Sequence, residues 1–248
     1  MPTPSRADEA ELALLRSGVY GELALGFGPP AEAAPLASPE RARTLACALQ
    51  ELGAGAPFAP PAEKVQGLGE RHAALFGHTV RGRVCAYETE YGPEGGPFRQ
   101  PMELSDLGAF FAAFGLRPRP EERDRADHVS CECEFMAFLA RKEAFALERE
   151  DERMLEQTRK GQRLFLRDHL GRFAAALGTR LGREDPEGFY GALGGALRGF
   201  LTAECERLGV RADPEGLRLR PAEDDGVPMA CGNCAAAPGG PGEAPGES

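Results

Sequence analysis

The chain has 248 residues, 42% of them hydrophobic, which suits one large domain or two small ones with a real core. With 39 acidic against 29 basic residues and a net charge of −10, it lacks the concentrated basic face that phosphate binding needs, so nucleic acid is a poor partner and a basic peptide a better one. No run of about eighteen apolar residues exists and the first eight residues lack an apolar signal region, so no membrane insertion and a cytoplasmic location are expected, and the seven cysteines, odd in number and without framework spacing, read as reduced thiols.

Helix is the dominant signal along the chain. A first helix over about 5–27 opens on a Ser5 cap with Asp8, Glu9 and Glu11 in its first turns and sets Leu12, Leu15, Val19 and Leu23 near one face, until Gly28-Pro29-Pro30 stops it. Ser38-Pro39-Glu40 restarts a helix, with serine as cap and proline at the first helical position, that runs to Gly53. A third helix is predicted over about 62–76. Between Gly77 and Pro101 the period is lost among Gly82, Gly92, Gly95 and Gly96, a long connection of the kind that carries function.

Ser105 is read as the cap of a short helix with Leu107, Phe110, Phe111 and Phe114 at i, i+3, i+4 and i+7, a core stripe ending at Gly115. After a charged segment at 117–125 comes Asp127-His128-Val129-Ser130-Cys131-Glu132-Cys133-Glu134-Phe135-Met136, leading a helix to about residue 147. Two further helices are predicted, over about 151–181 and 185–208, the second with Asp185 as cap and Pro186 at N1. Gly191, Gly194, Gly195 and Gly199 in the last one either break it or mark close helix–helix approach. From Ala222 the composition turns to Pro, Gly, Ala and acid, without Lys or Arg after Arg220, and reads as a disordered tail. The expected organisation is a helical domain over 1–221 and a flexible tail over 222–248 carrying Cys231-Gly232-Asn233-Cys234.

The Asp-His pair running into an acid-bearing helix is the most informative stretch. Glu132 lies three to four residues from Phe135 and Met136, so a carboxylate borders the apolar stripe and needs a partner or a ligand. Glu132 and Glu134 lie about 200° apart on a helix, so both cannot face one groove. Acids are also in excess nearby: Glu88, Glu90, Glu94, Glu103 and Asp106 face only Arg99 across positions 86–106, and Glu121, Glu122, Asp124, Asp127, Glu132 and Glu134 outnumber Arg123 and Arg125. A peptide with an arginine pair followed by an apolar helical run would need such carboxylates beside an apolar groove.

The loop Ala86-Tyr87-Glu88-Thr89-Glu90-Tyr91-Gly92, the helix from Leu104 to Leu116, the Asp127-to-Met136 stretch and Phe165-Leu166-Arg167-Asp168-His169-Leu170 recur in this order in the TorD-like redox-enzyme maturation chaperones, which include the DmsD and NarJ types; the chain resembles that family over about 12–208. The resemblance implies an all-α fold, a single compact helical domain with a long loop after the third helix. It also implies a chaperone without catalysis or a cofactor of its own, which holds the apo catalytic subunit of a molybdoenzyme, commonly by its twin-arginine leader, until the molybdenum cofactor is inserted. As an assembly it implies a monomer or a domain-swapped homodimer. The family's Asp-His pair falls on Asp127 and His128. The proline common before that pair is Ala126 here, and Phe173 stands where tryptophan is frequent; the tail resembles only a subset, chaperones of type II enzymes.

The residues expected to contact leader or client are Tyr87, Glu88, Glu90, Tyr91, Asp127, His128 and Glu132. Structural roles compete with that expectation. Asp127 caps the helix on the competing reading, a role compatible with client contact, His128 and His169 are hydrogen-bonded structural histidines, and Tyr87, Glu88 and Tyr91 serve equally well as loop anchors. Cys231 and Cys234 supply half of a tetrahedral zinc site or a redox pair, which makes a thiol-based metal or redox adaptor the alternative function, with Cys131 or Cys133 as recruits. Phosphate-loop, nucleophile-elbow and His-Glu-x-x-His motifs are absent, and the four histidines are scattered, so no enzyme reading has support.

Overall fold

The computed structural model describes residues 5–55, 58–60, 67–77, 82–92, 99–117, 125–211, 217 and 219. The protein is all-α. Its helices are α1 (Arg6–Phe27), α2 (Pro30–Ala33), α3 (Pro39–Glu51), α4 (Leu68–Phe76), α5 (Arg99–Ala113), α6 (Val129–Glu148), α7 (Glu152–Asp168), α8 (Leu170–Glu184) and α9 (Phe189–Leu208). Extended pairing among the described residues is confined to the isolated bridges Tyr87–His128 and Tyr91–Leu219.

The N-terminal signals act as the sequence suggests. Ser5 caps α1 in a capping box, its hydroxyl accepting from Asp8 N while the Asp8 carboxylate accepts from Ser5 N, and Ser38 caps α3 ahead of Pro39. Gly28 ends α1, and the chain turns through α2 and a 3-10 turn over Ala34–Ala37 before α3.

Elsewhere the boundaries shift. α5 begins at Arg99, so Ser105 lies inside the helix and does not cap it; Pro101 sits in the first turn, where it forfeits no intrahelical bond, and Arg99 pairs with Glu103 one turn on at 2.8 Å. The helix expected over 151–181 is two helices hinged at His169, which ends α7 and starts α8. Apolar periodicity runs through the hinge, but Gly171 permits it: a Cβ there would stand 2.3 Å from the Leu166 carbonyl oxygen. The N-cap of α9 is Gly188 and not Asp185, although the Asp185 carboxylate reaches forward to accept from Tyr190 N at 3.0 Å.

Antiparallel α1 and α6 form one half of the frame, with Ala10 and Ala13 beside Ala144 and Leu147, and Ser17 donating to the Ala137 carbonyl at 2.8 Å. Antiparallel α8 and α9 form the other. Their backbones meet at Gly178 and Gly194, where a Cβ on Gly178 would fall 2.4 Å from the Gly194 oxygen, so these glycines mark close approach in an unbroken helix. The core between is continuous from Tyr20, Leu23 and Phe27 through Leu139, Phe165 and Phe173 to Leu193 and Phe200.

One polar knot crosses this core. The guanidinium of Arg16, 2% exposed, donates from Nε and Nη2 to Glu204, from Nη1 to Glu143 at 2.7 Å, and from Nη2 to the Gln162 side-chain oxygen. Tyr20 donates to Glu204 at 3.1 Å, and Arg159 bridges Glu143 and Glu9 at 2.6 Å each. Burial disfavours the Arg16 charge, yet Glu204 and Glu143 more than offset it and hold the group more firmly protonated than a free arginine. The knot joins α1, α6, α7 and α9, and removing the cation takes the most buried guanidinium from Glu204 and Glu143, leaving them only the half-buried Arg207 and Arg159. Arg16→Met is expected to lower stability by about 3–5 kcal/mol in urea unfolding, far beyond the loss of a surface ion pair.

Candidate functional site

The long connection between α4 and α5 folds back on the start of α6. Residues 86–91 lie against the 125–129 turn, with Glu88 N donating to the Asp127 carbonyl at 2.8 Å and Val129 N to the Ala86 carbonyl at 2.9 Å. Within this strap Glu88, Thr89 and Glu90 form a single 3-10 turn.

Asp127 holds the strap down. Its carboxylate is fully buried and accepts from Thr89 N at 3.2 Å, Thr89 Oγ1 at 2.7 Å, Arg125 Nε at 2.9 Å and Arg125 Nη2 at 2.6 Å. Arg125 stacks its guanidinium over the Tyr87 ring, 4.8 Å from the centroid, and Gln100 of α5 donates to both Thr89 Oγ1 and Glu90 Oε1. The α6 cap is therefore not Asp127. It is His128, whose Nδ1 accepts from Ser130 N at 3.3 Å and lies 2.6 Å from Ser130 Oγ, because Asp127 is already committed to the loop.

The other expected residues fall in the same place. Tyr91 anchors the far end of the strap, its hydroxyl donating to the Cys85 carbonyl at 2.6 Å and its ring against Phe173. Tyr87 is half-buried with its ring edge on His128. Glu88 faces α8: its Oε2 is 3.1 Å from His169 Nδ1, while His169 Nε2 is 3.4 Å from Asp106 Oδ2 on α5, so the imidazole runs from a buried acid to an exposed one. All seven expected contact residues converge, and Tyr87 alone among them is more than sparingly exposed.

Glu132 and Glu134 divide as their spacing requires: Glu134 is exposed and Glu132 is wholly buried. Neither oxygen of Glu132 meets a hydrogen-bond donor among the described residues. The polar group beside it is the Glu88 carboxylate, which can bond to it only through a proton carried by one of the two. Burial, then Glu88 and Asp127, push the Glu132 pKa well above the ordinary value of 4.5. Around this acid the aromatic face of α5 is packed as the stripe predicts, with Phe110 and Phe111 on Phe165, and Phe111 and Phe114 on Phe135.

Sequence reasoning missed Thr89 and Arg125 as partners of Asp127, and missed Gln100; the one available signal was Thr89 between the two glutamates of the quoted loop. It also missed Arg16, whose partners lie 127 to 188 positions away. Cys231 and Cys234 lie outside the described residues, as do Glu94, Glu121, Glu122 and Asp124. Of the two recruits, Cys131 is half-buried and Cys133 is buried, its thiol pushed well above its usual range by burial and then Glu132. No group of three or more His, Cys, Asp or Glu among the described residues could hold a metal ion, and none of the described helices is long and apolar enough to cross a membrane.

This geometry sits inside a region shared with known proteins. A family model described as nitrate reductase delta subunit matches residues 37–178, more than half of the chain. The chain belongs to the nitrate reductase delta subunit family. That family comprises the NarJ and TorD-like chaperones, which are assembly proteins and not catalytic enzymes. A curated relative, the selenate reductase assembly chaperone protein of Thauera selenatis, is 31% identical over 133 residues, covering 54% of this chain and 65% of that protein, a little under two thirds of its length. No solved structure matches the chain. The family match takes in the strap, α5, α6 and α7 but leaves out all of α1 and α9, so the strap site belongs to the shared region while Arg16 and Glu204 lie beyond it.

Asp127→Asn keeps the side-chain shape but removes the charge that Arg125 and Thr89 hold. It is expected to lower stability by about 1.5–3 kcal/mol and to speed limited proteolysis within residues 86–92. Glu132 works in the opposite sense. Its folded pKa exceeds its unfolded one, so the native state holds a proton the unfolded chain has released, and this contribution to stability declines as pH rises above about 4.5. Glu132→Gln offers Glu88 a permanent N–H donor, so the variant is expected to unfold at higher urea than the parent at pH 8, with the gap narrowing toward pH 5.

Proposed function

We propose that this chain assists the assembly of a molybdoenzyme, binding the apo catalytic subunit and its twin-arginine leader in the cytoplasm, and so delaying export until the molybdenum cofactor is in place. The observation that carries this reading is the strap: a loop with two buried glutamates held against a third at the start of α6, beside the aromatic face of α5. A leader of that type is an arginine pair followed by an apolar helical run, and its receptor needs acids and apolar surface side by side. Membership of a chaperone family and likeness to a protein named for selenate reductase assembly point the same way.

The division of labour differs from simple surface capture. Asp127 is saturated by Thr89 and Arg125, so its part is to set the strap, with Tyr91 anchoring it. Tyr87, Glu88, Glu90, His128 and Glu132 are then the contacts we assign to leader or client, with Met102, 69% exposed on α5, extending the apolar surface. Release follows cofactor insertion, when the folded subunit no longer offers the same segment. The helical domain over 1–221 performs this as a monomer or a domain-swapped dimer, and the tail over 222–248 is dispensable for it.

The test is co-purification with a molybdoenzyme catalytic subunit made with and without its leader, in cofactor-free and cofactor-loaded forms. The full chain and a truncation after Arg220 are expected to retain the apo, leader-bearing subunit and to release the loaded one. Equal retention of apo and loaded subunits would sink the reading, and loss of binding on truncation alone would move the site to Cys231 and Cys234.

A further inference from the structure

The buried acids packed on α6 are not all satisfied. Around Arg16 every carboxylate has a guanidinium against it. Around Glu132 no cation is in contact among the described residues, and Arg125 of the adjoining turn is committed to Asp127, Thr89 and the Tyr87 ring. A buried carboxylate with both oxygens lacking donors is costly against a satisfied one, and an apolar side chain at this core position would avoid that cost.

We propose that Glu132 is the buried receptor for an arginine side chain of the client, reached when the 87–91 strap lifts from α6. The inference rests on the leader-binding reading and deepens it. Two carboxylate oxygens that meet no donor among the described residues match the two parallel N–H donors of a guanidinium, which an ammonium cannot supply from one plane. Glu88, against Glu132 in the closed form, supplies a second carboxylate once the strap moves, as Glu204 and Glu143 jointly hold Arg16 in this same fold. Lifting the strap breaks the Glu88 N bond to the Asp127 carbonyl and the two Thr89 bonds to the Asp127 carboxylate, which Arg125 continues to satisfy, and the strap ends at Gly92, whose φ of +114° few other residues adopt.

Proton balance follows from the chemistry. In the closed form Glu132 carries a proton toward Glu88. The groups facing this pair are Asp127 from the turn, Cys131 and Cys133 on α6, His169 at the start of α8 and Asp106 on α5. An incoming guanidinium supplies the missing positive charge, the shared proton leaves to solvent, and no other bond is made or broken. Client capture is therefore coupled to release of about one proton.

The experiment uses the full chain and a synthetic twenty-residue peptide with an Arg-Arg pair ahead of a leucine-rich run, beside its Lys-Lys and Gln-Gln counterparts. Isothermal titration in buffers of different ionisation enthalpy gives affinity and proton release together. The parent is expected to prefer Arg-Arg over Lys-Lys and Gln-Gln by tenfold or more and to release close to one proton near pH 7. Glu132→Gln, which keeps the shape, is expected to lose at least tenfold in Arg-Arg affinity and nearly all the proton release, whereas Glu134→Gln, an equal change of net charge on the exposed face of α6, changes neither. Undiminished Arg-Arg affinity and proton release in Glu132→Gln would overturn the assignment while leaving leader binding intact, and equal weakening by Glu134→Gln would reduce it to net charge. If the parent binds all three peptides alike or none, the leader-binding reading itself fails.

Discussion

The site depends on one buried carboxylate. Asp127 gathers four donors from Thr89 and Arg125, and those contacts turn a glycine-rich connection of no regular structure into a strap with a fixed register on α6. Because the acid is desolvated and fully hydrogen-bonded, each contact is worth more than it would be at the surface, and none can be traded for water. The consequences spread outward. The backbone pairing of Glu88 with Asp127 fixes the 3-10 turn, the turn aims Glu88 at His169, and His169 occupies the hinge between α7 and α8.

The Arg16 knot and the Glu132 pair show two uses of buried charge in one fold. Around Arg16 the acids and the cation belong to the same chain, and the result is a fastening of four helices. Around Glu132 the acids belong to the chain and no matching cation among the described residues is within contact. The first arrangement gains from being closed; the second is tolerable at rest only as a protonated acid, and so stays responsive to a positive group from outside. That contrast, more than the acidity of the surface, sets the loop apart as a place for a partner. Many of the acids counted along the sequence are in fact engaged at home, Glu103 by Arg99 and Glu90 by Gln100 among them.

Much of the fold was legible because helix signals are local. Ser5 and Ser38 as caps, Pro39 in a first turn and the Leu107, Phe110, Phe111 and Phe114 stripe each act within one or two turns of the chain, and each appears where its spacing says. The misplaced boundaries have tertiary causes. Nothing local breaks the apolar period at His169; the break is set by Glu88 across the site and by the close packing of Gly171 on the Leu166 carbonyl. Asp127 beside a helix start looks like a cap until the loop that claims it is in view.

By itself, then, the sequence determined the helical class, the starts of α1, α3, α6 and α7, the aromatic stripe and the opposition of Glu132 to Glu134, because periodicity and capping chemistry are properties of neighbours along the chain. It also pointed to the seven residues that converge on the strap. Only the tertiary structure decided which acid is spent and which is waiting. Asp127 and Glu132 are both carboxylates at the start of one helix, and nothing in their spacing distinguishes them. What does is the position of Thr89 and Arg125 in space, which satisfies one and leaves the other without a donor.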